Sequence, residues 1–236
     1  MDECATAPAP PNAFRAAEKR FRRCGTADPS AVSTLADAID FARPETNTPA
    51  NLALLETVAV DADAPAWLRD ARVYALRGVD GFRFICSPFS AAAQLEWART
   101  ALRSWAEPPD GVTNLDPPGA GAPARAREEA LWDAHRRGGS SSSGGVAAAK
   151  SQLSKLAWVT LGYHYQWTER RYEPTKRSRF PPQLARLADE LASAAGWRLR
   201  AEAAIVNYYH AGSTMGGHRD DAEPFQGAPP PLSHTG

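Results

Sequence analysis

The apolar positions of this chain change period several times, and each change marks an element. Phe14 and Phe21 lie seven residues apart, on one face of a helix. Asn12 is a good cap for it, so a helix is expected from Asn12 to about Arg23. A second short helix is expected over Ser30 to Phe41. The stretch ARPETNTPAN (42–51), rich in Pro, Asn and Thr, reads as a linker. A compact domain is expected from about Pro65, which divides the chain into a helical N-terminal region (1–64) and a main domain (65–236). VYALRGVDGFRFICSPF offers strand residues around Gly78 and Gly81. Leu95, Ala98, Leu102 and Trp105 recur at helical spacing and predict an amphipathic helix. Residues 107–126 are full of Pro and Gly and read as loop.

GGSSSSGG (138–145) is a low-complexity insert with no function of its own. KLAWVTLGYHYQW, rich in β-branched and aromatic residues, predicts a strand. Pro182 suits the first turn of a helix whose Leu184, Leu187, Ala188, Leu191 and Ala195 make one stripe, with Gly196 as its stop. AEAAIVNYY (201–209) reads as another strand, with a turn at Ala211–Gly212. Helices dominate the first third, and strands mix with helices in the last.

Composition narrows the class of protein. Apolar residues make up 43% and charged residues 23% of the 236, the proportions of an ordinary globular protein. Formal net charge is zero, so any polyanion must be held by a local patch. No run approaches the ~20 apolar residues of a membrane span. Cys4, Cys24 and Cys86 are odd in number and lack CxxC spacing, which favours a reducing compartment without a disulfide framework. No apolar signal core is present. Cytoplasm or nucleus is expected, with mitochondrial import the alternative raised by Arg15, Arg20, Arg22 and Arg23.

The chemistry concentrates in AIVNYYHAGSTMGGHRDDAEP. On a strand Ile205, Asn207 and Tyr209 share one face, while Val206 and Tyr208 share the other. Asn207 and Tyr209 thus offer an amide and a phenol to one small polar ligand. His218 and Asp220, one residue apart, leave the same face of an extended segment about ~7 Å apart and can converge on one cation. An imidazole and a carboxylate are two-thirds of the facial triad suited to non-haem iron(II). Gly216 and Gly217 permit a close backbone approach just before them. With 5 histidines and 14 aspartates, about one such chain in three holds some HxD by chance, so the pair alone is a weak signal. His210, His164 and His135 have no motif partner and read as surface or turn residues.

Context strengthens the signal. NYYHAGSTMGGHRDD resembles the segment of AlkB-family dioxygenases in which an Asn-x-Tyr strand leads to His-x-Asp. WVTLGYHYQW resembles the family's Gly-Tyr-x-Tyr strand, which lies near the substrate. With RAEAAIVNYY and NLD (114–116), the pattern is similar to the eukaryotic AlkB homologue one group over most of the chain up to about Pro231. The resemblance implies an incomplete double-stranded β-helix of α+β class, with flanking helices and a helical N-terminal region. It implies iron(II), held by His218 and Asp220, and 2-oxoglutarate as co-substrate, held by Asn207 and Tyr209. It places Tyr163 and Tyr165 at the substrate entrance. It further implies decarboxylation of 2-oxoglutarate to succinate, hydroxylation of an N-methyl carbon and release of formaldehyde, on methylated transfer RNA or DNA.

The family also places a second histidine and a carboxylate-pairing arginine on later strands. Before Gly236 the only later histidine is His234, in a proline-rich stretch that reads as a frayed tail. A truncated gene model, splice form or fragment is suggested, with an open sheet edge and little or no turnover by the polypeptide as it stands.

ERRYEPTKRSRF (169–180) carries Arg170, Arg171, Lys176, Arg177 and Arg179 with Tyr172 and Phe180 interleaved. Basic groups meet phosphates and rings stack on bases, so this segment is the candidate nucleic-acid contact; a solvated charged loop is the alternative. Two other functions stay open: a non-catalytic nucleic-acid-binding module, and a dioxygenase acting on a protein side chain. A zinc hydrolase is disfavoured by the lack of HExxH or a cysteine pair. Oligomeric state and preferred base are not legible.

Overall fold

A computed structural model describes residues 12, 14–17, 38–117, 120, 129–139, 152–213, 215–218, 220 and 222. The N-terminal helix enters as expected. Asn12 Oδ1 accepts from the backbone N–H of Phe14 (3.1 Å) and Arg15 (3.4 Å), and residues 14–17 are helical. The remainder of that helix, residues 30–37 of the second, most of the Gly/Ser insert and the tail with His234 lie outside the described residues.

Two compact units divide the chain. The first comprises residues 1–57, 74–84 and 215–218. Its linker reading needs correction, because 42–51 holds a 3-10 turn (Pro44–Thr46) and the start of a short helix α1 (Pro49–Leu52). Side chains organise it: Asp40 Oδ1 accepts from the N–H groups of Ala42 and Arg43, and Asn47 donates to the carbonyls of Asp40 and Pro44. Asx and proline chemistry builds turns as readily as linkers. Residues 38–41, expected to end a helix, are not helical. Strands β1 (Leu55–Val58), β2 (Arg72–Leu76) and β3 (Val79–Cys86) form a sheet in that order. Gly78, at φ +77°, turns the β2–β3 hairpin. Phe41 stacks on Phe84 at 4.2 Å and touches Tyr74 and Phe82.

The second unit, 58–73, 85–214 and 219–236, holds the larger sheet. Helix α2 (Ala91–Thr100) starts at a Ser90 cap and runs into a π-helical stretch, Ala101–Trp105. Trp105 is buried as expected, but Leu95 is half exposed, and Trp97 takes its place against the core. Strand β4 (Gly111–Thr113) lies within the stretch expected as loop, because three residues flanked by Pro and Asp carry too little pattern to mark a strand. Helix α3 (Leu131–Gly139) follows. Strand β5 (Trp158–Gln166) is central, flanked antiparallel by β4 and β6 (Arg171–Arg177) along one path and by β7 (Ala203–Asn207). Helix α4 (Pro182–Ala194) keeps its proline start, and Gly196 at φ +80° its stop. The mixed α+β class is as expected, as antiparallel sheets with flanking helices. Among the described residues β7 pairs with β5 alone, and no helix is long and apolar enough to cross a membrane.

The core lies on one face of this sheet. Val159 and Leu161 are fully buried against Trp105, with Phe180, Leu184, Ala204, Val206 and Tyr208 around them. Burying each such aliphatic side chain contributes roughly 1.5–3 kcal/mol.

Candidate active site

Strand register decides which side chains meet. Cα partners across β5 and β7 are Trp158 with Asn207, Val159 with Val206, Thr160 with Ile205, and Leu161 with Ala204. Side chains of directly opposed residues share a face. Val159, Leu161, Ala204 and Val206 therefore enter the core, and Trp158, Thr160, Ile205 and Asn207 the opposite face. Asn207 is exposed there, and Tyr209, just past the strand, is 57% exposed. Tyr208 points into the core as expected, its hydroxyl donating to the Ala101 carbonyl at 2.7 Å. Burial, and then the charge of Glu107, raise its pKa well above that of an ordinary phenol.

A cavity of about 240 Å³ opens beside this face, lined among others by Trp158, Thr160, Tyr165, Gln166, Trp167 and Asp116. Its rings touch one another: Trp158 and Trp167 at 5.1 Å, Tyr165 edge-on to Trp167 at 4.8 Å and to Tyr172 at 5.4 Å. Such tilted and edge-to-face arrangements suit the ring quadrupole, and the rings stand at angles of 43° to 86° to one another. Tyr165 is expected here from the sequence; the two tryptophans are not, although both flank the Gly-Tyr-x-Tyr strand.

The basic segment forms strand β6 rather than a loop. Its register against β5 shifts between Tyr163–Arg177 and Tyr165–Tyr172, an irregularity that accommodates Pro174, which has no N–H to give a ladder. Arg177 lies over the Tyr163 ring at 5.8 Å and donates to its hydroxyl at 3.3 Å. Lys176 turns inward and donates to Gln166 Oε1 at 2.7 Å. Arg171 is exposed, 3.8 Å from Glu173, and Arg170 sits exposed in the hairpin turn at φ +52°.

His164 departs from expectation. It is 1% exposed, a buried member of β5, which lies between β4 and β6. Thr160 Oγ1 lies 3.2 Å from the Val112 carbonyl and 2.9 Å from His164 Nδ1. A carbonyl only accepts, so the single hydroxyl proton goes to Val112 and Nδ1–H donates to Thr160. Nε2 is then a buried lone pair without a partner among the described residues. Burial holds the His164 pKa below its ordinary 6.5, with the Thr160 contact opposing weakly. Unfolding restores the ordinary value, so below about pH 6.5 the unfolded chain binds more protons and stability falls as pH drops. Urea midpoints measured from about pH 7.5 to about pH 5 should decline, and His164→Leu should flatten that decline. Equal slopes in the two proteins would refute it. His135, by contrast, is exposed beside Trp132, and His210 is exposed in the turn after β7.

His218 and Asp220 are both exposed. His218 Nδ1 is 3.0 Å from the Gly216 carbonyl, which places the ring proton on Nδ1 and the lone pair on Nε2. That is the tautomer of a metal-ligating imidazole oriented by its own backbone. Gly217 does allow a close approach: a Cβ there would overlap the Phe14 ring. Among the described residues no group of three His, Cys, Asp or Glu side chains could hold a metal ion. One imidazole and one carboxylate form a donor pair that fits iron(II).

Comparisons with known proteins bear on the class of protein. Residues 124–230 match the family described as 2OG-Fe(II) oxygenase superfamily. Several curated relatives are similar to this chain. It is 33% identical to the mouse nucleic acid dioxygenase ALKBH1 over 221 residues, 90% of this chain and 56% of the relative. It is 26% identical to the Schizosaccharomyces pombe tRNA demethylase abh1 over 222 residues, 90% and 67% of the two chains. It is 30% identical to the Arabidopsis thaliana DNA N(6)-methyladenine demethylase ALKBH1A over 171 residues, 64% and 50%. The chain thus spans about half the length of the first of these relatives. Iron(II) and 2-oxoglutarate are what the superfamily implies.

Proposed function

We propose that this protein is an iron(II)- and 2-oxoglutarate-dependent dioxygenase that removes methyl groups oxidatively from bases in nucleic acid. The observation that carries the proposal is the pairing of Trp158 with Asn207, which sets the amide on the same sheet face as a residue of the aromatic cavity. In this reading His218 Nε2 and the Asp220 carboxylate hold the metal, and the Asn207 amide and Tyr209 phenol hydrogen-bond 2-oxoglutarate. Bound together, metal and co-substrate supply the oxidation of an N-methyl carbon.

The chain's own residues bind, orient and exclude water. Trp158, Trp167 and Tyr165 offer flat faces on which a base stacks, worth about 1–3 kcal/mol per base. Lys176 fixes the Gln166 amide in the cavity wall. Arg170, Arg171 and Arg177 present exposed cations on the hairpin that continues from the cavity, where a phosphate backbone would run. Relatives named as tRNA and DNA demethylases support nucleic acid as the substrate class.

The full-length protein, given iron(II), 2-oxoglutarate and a methylated oligonucleotide, should form succinate and formaldehyde in equal amounts. Three phosphate contacts predict that affinity for single strands falls roughly twentyfold from about 50 to 200 mM salt, and Arg170, Arg171 and Arg177 changed together to Ala should remove most of that dependence. Turnover on a protein substrate, with no oligonucleotide binding at low salt, would move the assignment to side-chain oxidation.

A further inference from the structure

We propose that Tyr208 and His210 are positioning residues that aim Asn207 and Tyr209 at 2-oxoglutarate; this rests on the preceding assignment of those two groups. The ladder of β7 ends at Asn207, so the backbone beyond it has no strand to hold it. Two side chains and one amide take over. Tyr208 N–H donates to the Ala157 carbonyl at 2.8 Å, and its hydroxyl reaches the Ala101 carbonyl at 2.7 Å. His210 Nε2 lies 2.9 Å from the Leu156 carbonyl, so it carries the ring proton and donates. The His210 N–H donates to Ser213 Oγ at 3.1 Å, and the His210 carbonyl accepts from Ser213 N at 2.8 Å.

Tyr209 is thereby strung between two tethers that pull the opposite way, and its phenol is left exposed. The Tyr208 ring packs against two clusters at once, one around Leu131 and Leu156 and one around Val159 and Leu161. Its hydroxyl is received by the first residue of the π-helical stretch Ala101–Trp105, the kind of irregularity often found at functional sites. With its pKa pushed up by burial, the phenol stays a donor throughout the neutral range. A pair of ligand groups pinned this way reaches its partner without first losing backbone freedom.

The test titrates 2-oxoglutarate into the manganese-loaded full-length protein, which binds without turnover. Tyr208→Phe and His210→Ala should each weaken binding about tenfold while oligonucleotide affinity stays unchanged, and His210→Gln, whose amide still donates, should bind like the parent. Asn207→Ala serves as the control and should lose binding more severely. Normal binding by Tyr208→Phe and His210→Ala, beside a loss in Asn207→Ala, overturns the positioning role alone. Parallel losses of 2-oxoglutarate and oligonucleotide affinity mark a merely structural role and also overturn it. Should Asn207→Ala bind normally, or the parent not bind at all, the assignment of Asn207 and Tyr209 fails and this inference falls with it. If Tyr208→Phe does not fold, the His210→Ala and His210→Gln pair decides alone.

Discussion

Gly162→Ala should lower stability by about 3–5 kcal/mol, a large share of a typical total of about 5–15 kcal/mol. Gly162 sits in mid-strand at φ +72°, where a side chain costs roughly 1–3 kcal/mol in backbone strain. The larger cost is steric. A Cβ would overlap the carbonyl of Glu202 and press on the Phe180 ring. That same carbonyl accepts from Tyr163 N at 3.1 Å, while the Gly162 carbonyl accepts from Ser178 N at 2.9 Å. The residue therefore lies where β5 hands over from β4 and β7 to β6, and backbone that must move there takes three strands with it. Gly196→Ala is the matched comparison: φ is +80°, but nothing lies within 4 Å of the added atom. It should cost only the strain, about 1 kcal/mol. Urea midpoints for the two variants decide the matter. Similar small shifts in both would show that β7 can retreat without penalty.

His218→Ala in the full-length protein should cut succinate formation by at least about a hundredfold, and Asp220→Ala likewise. Substituting a residue that only hydrogen-bonds a metal ligand already costs about 10–100-fold, and a ligand itself carries more. The Gly216 carbonyl, 3.0 Å from His218 Nδ1, keeps the ring proton there and leaves Nε2 as the nitrogen that would meet a metal. Iron(II) affinity should fall together with turnover, whereas His135→Ala, at an exposed helix position, should leave both untouched. Normal co-substrate turnover after removal of both ligand side chains would end the iron assignment.

Much of the frame around these residues could be read from the chain alone. Trp158–Gln166 announces itself by β-branched and aromatic density, and α4 by its Pro182 start, leucine stripe and Gly196 stop. Asn12 caps its helical turn through the two hydrogen bonds its residue type predicts. These elements carry their signal within a few neighbouring residues, which is why local pattern suffices. The alternation of Asn207 and Tyr208 falls in the same class, since strand geometry sends successive side chains to opposite faces wherever the strand ends up.

Other features needed long-range partners. Arg171–Arg177 is charged and holds Pro174, and only its pairing with β5 makes it a strand. Leu95 belongs to the helical stripe by spacing, yet the sheet meets the Trp97 side of the helix instead. His164 has no motif partner, and its burial follows from β4 and β6 flanking β5, with Thr160 supplying its ring contact and Val112 in turn receiving the Thr160 hydroxyl. Local periodicity and turn chemistry thus determined which elements form and which residue types offer chemistry. The three-dimensional fold alone decided that Trp158 stands opposite Asn207, because strand register joins positions far apart in the chain through backbone ladders that no short window of residues encodes.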